Sequence, residues 1–142
     1  MTNEEKQLLY KDLCGRLPYG VKVKFYSTEY PYGSEPVILT VDLLKDRWEN
    51  IHDVKPYLRP MSNMTSKEKN DFEFFVLTNT SDTLDSIDWS NPQIFSRLSI
   101  VRDSSDFIDW LNEHHFDFRG LIQKEWSNQK GLAFEAPEDM YE

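Results

Sequence analysis

The chain has 142 residues, 39% of them hydrophobic and 14% aromatic, and a formal net charge of -9. That aromatic load suits a packed core and argues against disorder, while the acidic excess argues against holding a nucleic-acid backbone directly. No apolar run is long enough to span a bilayer, the charged start "MTNEEKQLLYKDL" lacks the apolar stretch of a secretory signal, and a lone cysteine, Cys14, cannot close an internal disulfide.

The expectation is therefore a single domain over residues 1–142 in a reducing cytoplasm, with no membrane contact. The charge is divided unevenly. Residues 1–71 hold 11 Lys+Arg against 11 Asp+Glu, and residues 72–142 hold 5 against 14, so the whole excess lies in the second half.

The first helix announces itself. Thr2 followed by Glu5 is a capping box, Leu9, Leu13 and Leu17 recur at helical spacing with Tyr10 and Cys14 beside them, and Pro18 and Gly20 stop it. This spacing predicts Cys14 on the buried side, as a core thiol rather than a nucleophile. "VKVKFYS" alternates as a half-buried strand over 21–27, and "PVILTVDLL" (36–44), apolar on both faces, reads as a more central strand paired with it antiparallel across "TEYPYGSE".

Pro56 and Pro60 predict a stiff, irregular stretch over 51–65. Thr65 and Glu68 form a second capping box, opening a helix to about Phe75 with Met64, Phe72, Phe75 and Val76 on one side. Residues 79–92 are polar and turn-rich, and 93–101 predict a strand able to extend the hairpin sheet. A last helix is expected over 103–115, packed on the sheet through Phe107 and Leu111. The fold class is thus α+β: a small antiparallel sheet, an N-terminal helix and two further helices packed on it.

On the last helix, Asp103, Asp106, Asp109, Glu113 and Asp117 are spaced to share one third of the circumference, with Trp110 and His114 at the seam, four apart and in reach of each other. His115, adjacent to His114, points elsewhere, so the two do not form a metal-binding pair on one helix face, and no ligand spacing supports a site with His52. Histidines at a helix C-terminus suit its dipole, and Gly120 suits chain reversal. Asp82, Asp85 and Asp88 match no calcium-loop spacing. There is no nucleophile elbow, no phosphate-cradling glycine loop and no cysteine cluster, so no cofactor is expected. Arg59 and Arg119 sit among aromatic or apolar residues, where an arginine usually serves an ion pair and less often lines a ligand pocket.

Three blocks, "KDLCGRLPYGVKV", "IHDVKPYLRPMSNMT" and "DWLNEHHFDFRGLI" with the later "GLAFEAPEDMY", cover a little over a third of the chain. They resemble an uncharacterised family of gut Bacteroidales genomes and their bacteriophages. The resemblance implies a bacterial or phage cytoplasmic setting and an accessory role such as host takeover or defence evasion, and carries no activity or site residue to this chain. Between "RGLI" and "GLAFEAP" the chain departs from the family by the insertion "EWSNQ", which adds Trp126.

The leading functional expectation is a non-enzymatic acidic module that binds another protein, itself basic or nucleic-acid-binding, through Asp106, Asp109, Trp110, Glu113, His114 and Asp117. Two further readings stand beside it. One is a small-ligand or nucleotide binder using Arg59, Arg119 and Trp126. The other is a small hydrolase using His114, His115 and neighbouring carboxylates.

Overall fold

In the computed structural model, which describes residues 2–73, 76–78, 98–100, 104–123, 125–126 and 129–141, Thr2 caps helix α1 (Asn3–Arg16) by the expected reciprocal bonds. The Glu5 N–H donates to the Thr2 hydroxyl at 3.1 Å and the Thr2 N–H donates to the Glu5 carboxylate at 3.2 Å. A 3-10 turn over Leu17–Tyr19 follows, and Gly20, in the left-handed region at φ 73°, ends it.

The buried face of α1 runs through Leu9, Asp12, Leu13 and Arg16. At 100° per residue Cys14 lies roughly 140° round the helix from the middle of that face, and its thiol is exposed. This corrects the expected core cysteine. Asp12 and Arg16, one turn apart, occupy the buried position instead as a fully enclosed ion pair, with Nε to Oδ2 at 2.8 Å and Nη2 to Oδ1 at 3.1 Å.

The main sheet has the order β2 (Val37–Ile38), β1 (Lys22–Phe25), β3 (Val54–Leu58), β8 (Phe134–Glu135). The expected antiparallel hairpin forms, pairing Lys22 with Ile38 and Val23 with Val37. Its second strand is two residues at the sheet edge, however, not a central strand over 36–44. Thr40 turns the chain, accepting the Leu43 N–H on its hydroxyl at 3.2 Å, and α2 (Val41–Asp46) begins. Ile38 and Val41 remain largely exposed.

The stretch expected to be irregular contains the strand next to β1. β3 pairs antiparallel with β1 and parallel with β8, with Pro56 buried in its middle. The hydrogen-bond alternation explains how a proline is tolerated there. The Tyr26 N–H donates to the Asp53 carbonyl, so Lys24–Lys55 is a hydrogen-bonded pair and Val23–Pro56 is not. The nitrogen of Pro56 faces away from β1, and the ladder to β8 starts one residue later, at Tyr57–Phe134. The architecture is α+β with a small mixed sheet.

One step along the register, Lys22 would meet Tyr57, but the Tyr141 hydroxyl stands between them. It accepts the Lys22 N–H at 2.8 Å and donates to the Tyr57 carbonyl at 2.6 Å. Burial pushes this phenol up to about 12, against the opposing Lys22 N–H and Arg16 charge and with the help of nearby Tyr57.

Two compact units are formed by Met1–Leu58 with Leu121–Glu142, and by Arg59–Gly120. The first has its core in Leu9, Leu13, Val21, Val23, Ile51, Val54, Leu58, Leu121 and Leu132, one face of the sheet meeting α1. It also holds a short hairpin, β6 (Glu125–Trp126) with β7 (Gln129–Lys130).

The second unit contains α3 (Ser66–Glu73), α4 (Ser104–Glu113) and a separate antiparallel pair, β4 (Val76–Thr78) with β5 (Leu98–Ile100). The strand expected within 93–101 thus pairs with β4 rather than extending the hairpin sheet, and Val76 belongs to a strand rather than to the end of α3. Phe74, Phe75, residues 79–97 and 101–103 lie outside the described residues, as do the side chains of Phe72 and Phe107. No helix among the described residues is long and apolar enough to cross a membrane.

Candidate functional site

The second capping box gives the site its fixed point. The Glu68 N–H donates to the Thr65 hydroxyl at 3.2 Å, and the Glu68 carboxylate accepts the Thr65 N–H at 3.0 Å. The same carboxylate takes the guanidinium fork of Arg59, Nη2 to Oε1 at 2.7 Å and Nη1 to Oε2 at 2.8 Å. Arg59 Nη1 also donates to the His114 carbonyl at 3.2 Å, and the guanidinium lies over the Phe116 ring at 4.3 Å. The majority role for such an arginine, a structural ion pair, is the one observed.

Burial alone would push the Glu68 carboxyl up. The Arg59 hydrogen bonds, the Thr65 backbone N–H, the Arg59 charge and the Thr65 hydroxyl outweigh it and bring the group down to about 2. The ordinary value being 4.5, the stability gained is complete above that pH and is lost as pH falls through about 2. A Glu68→Gln variant should be less stable than wild type by about 2–3 kcal/mol at pH 6. That gap should shrink steadily below pH 4.5 in urea unfolding. A gap independent of pH would remove the ion pair as its cause.

How α4 ends explains the two histidines. The His115 N–H donates to the Asn112 carbonyl at 3.1 Å and the Phe116 N–H to the Leu111 carbonyl at 3.0 Å, with His115 in the left-handed region at φ 64°. This is the Schellman closure, with a histidine where glycine is commoner. Gly120 is left-handed as well, at φ 72°, but the reversal that ends the helix falls at His115. It sends the His115 side chain into a buried position and leaves the His114 ring half-exposed, tilted against Trp110 with ring centres 4.4 Å apart and Nδ1 3.5 Å from Glu68 Oε2. Trp110 also stacks on the fully buried Phe116 at 5.9 Å. The strand-like bridge Arg59–Phe116 ties both ends together: the Arg59 N–H donates to the His115 carbonyl and the Asp117 N–H donates to the Arg59 carbonyl, each at 2.8 Å.

The expected acidic stripe is redistributed by that turn. Asp109 and Glu113 are exposed on α4. Asp117 lies beyond the helix and is only 8% exposed, because the helical wheel stops applying at His115. Asp106 is within α4, but its side chain, like all of Asp103, lies outside the described residues. Of the ligand-binding candidates, Arg59 is held by Glu68, and Arg119 is half-buried with its guanidinium over the Phe118 ring at 4.2 Å. Trp126 is in β6, its side chain outside the described residues, as is that of His52; the acids of 82–88 lie outside them altogether. No group of three or more His, Cys, Asp or Glu among the described residues could hold a metal ion. Comparison with known proteins finds no matching family model, no similar curated protein and no similar solved structure.

Proposed function

We propose that the chain is an acidic protein-binding module of bacterial or phage cytoplasm, and that α4 carries its recognition surface. The observation behind this reading is the pairing of exposed charge with an immobilised aromatic seam. Asp109 and Glu113 are exposed and one turn apart, and between them in sequence stands Trp110, partly exposed and braced by His114 and Phe116. A side chain already ordered in the free protein loses little freedom on binding, and tryptophan is prominent among residues that dominate interfaces. The complementary partner is a protein with a basic surface, nucleic-acid-binding proteins included. Arg59 belongs to the bracing, which makes a ligand pocket built around it the weaker reading.

The test is capture from a bacterial lysate by wild type, by the double variant Asp109→Asn with Glu113→Gln, and by Trp110→Ala. The double variant should keep its fold, since like charges on one helix face repel. It should lose capture, and wild-type capture should fall with added salt, because exposed charges are screened over roughly 8–10 Å at ordinary ionic strength. Loss through Trp110→Ala should be nearly independent of salt. Undiminished capture by both variants would remove α4 from the reading.

A further inference from the structure

Arg47, an arginine beside an aromatic ring, lies in the first unit. β1 ends at Phe25, the chain loops through Tyr26–Pro31, and Arg47 follows the end of α2. These residues and Asp53 line an open cleft of about 880 Å³, within the size range of small-molecule sites. Its wall is built by the chain's own bonds. The Tyr30 N–H donates to the Ser27 carbonyl at 3.1 Å, the Ser27 N–H returns to the Tyr30 carbonyl at 3.2 Å, and the Phe25 N–H is taken by the Ser34 hydroxyl at 3.1 Å.

Two aromatic rings meet in this wall, Phe25 and Tyr30, edge to face at 5.5 Å and 86°, with Tyr30 44% exposed. The Arg47 guanidinium lies 5.4 Å from the centre of the Phe25 ring, and its Nε is buried with no hydrogen-bond partner among the described residues. Arg59 gives its fork to a carboxylate; Arg47, which lines a cleft, has its Nε–H buried without an acceptor among the described residues. A desolvated charged donor without an acceptor is costly to the free protein, and an anion that supplies one recovers that cost on binding. Glu29 and Asp53 also line the cleft, so its acids outnumber its arginine and polyanions are disfavoured.

We propose that this cleft binds a small aromatic anion: a planar ring against Phe25 and Tyr30, and one carboxylate or phosphate on the guanidinium of Arg47. The ligand site lies apart in sequence from the α4 surface and does not depend on it.

The full chain is titrated, with amide and arginine Nε–H resonances followed by NMR, against phenylacetate and phenyl phosphate. Benzyl alcohol supplies the ring without the charge, and acetate and inorganic phosphate supply the charge without the ring. At least one aromatic anion should shift Arg47 and Tyr30 saturably, binding at least about tenfold more tightly than the controls. The one preferred separates a carboxylate from a phosphate source. Arg47→Ala should weaken it about tenfold or more, Arg47→Lys should restore only part, and Tyr30→Ala, at an exposed position that leaves the core intact, should weaken it as well. Should Arg47→Ala fail to fold, the lysine and Tyr30 variants decide. No binding of either aromatic anion, inorganic phosphate binding as tightly as phenyl phosphate (an adventitious ion only), or unchanged binding by the folded Arg47 and Tyr30 variants would each overturn the proposal.

Discussion

Replacing Asp12 by alanine is expected to destabilise the protein by about 3–5 kcal/mol, the usual consequence of stranding one partner of a buried ion pair. Asp12 and Arg16 are both fully buried, and the carboxylate takes two of the guanidinium's donors. Removing the acid takes away the carboxylate that holds two of the guanidinium's donors, at a position closed to water. Replacing both residues together, Asp12→Leu with Arg16→Met, should cost far less, because no charge is then left behind. Urea unfolding of the two variants measures the difference. A cost for Asp12→Ala below about 1 kcal/mol would mean the pair behaves as a solvent-exposed one and is not enclosed.

Leu111→Ala is expected to cost about 2–5 kcal/mol, since Leu111 is fully buried and truncation leaves a cavity. The backbone at this position matters too, because its carbonyl accepts the Phe116 N–H that closes α4. Asp109 and Glu113 each lie two residues away and so roughly 160° round the helix, on the side away from the buried leucine. The folded fraction should therefore fall while partner capture per folded molecule stays unchanged. A stability within about 0.5 kcal/mol of wild type would show that Leu111 is not a core residue.

Much of the fold was legible because it is written locally. Both capping boxes form from their Thr and Glu, the 21–27 and 36–44 segments meet antiparallel, and Trp110 touches His114 as residues four apart on a helix must. The misreadings have two physical sources. Some local signals were outcompeted: Thr40 caps a helix inside a run rich in β-branched residues, and Asp12 and Arg16 have the spacing of an ordinary surface pair. Others depend on partners distant in sequence. Pro56 fits a strand only because β1 bonds Lys55 and not Pro56 itself, and β8 becomes parallel to β3 only in the folded chain.

The site was legible to the same degree. Its residues on α4 came from helical spacing, but the fork between Arg59 and Glu68 joins residues with no shared periodicity, and the burial of Asp117 follows from a left-handed histidine that the sequence does not mark. Arg47 lay in a polar stretch with nothing nearby to single it out. The burial of its Nε without an acceptor among the described residues exists only in three dimensions.

The Tyr141 hydroxyl, set between Lys22 and Tyr57, reaches across 119 and 84 residues of sequence. During synthesis β1 and β3 emerge from the ribosome long before the residues that complete their sheet. Residues 59–120, continuous in sequence, are by contrast all present before residue 121 is added. The nascent chain must therefore carry an unfinished sheet, with the edge of β3 open, while residues 59–133 are added. That interval is when this protein is most exposed to mispairing, and its length is set by translation speed rather than by the stability of the finished fold.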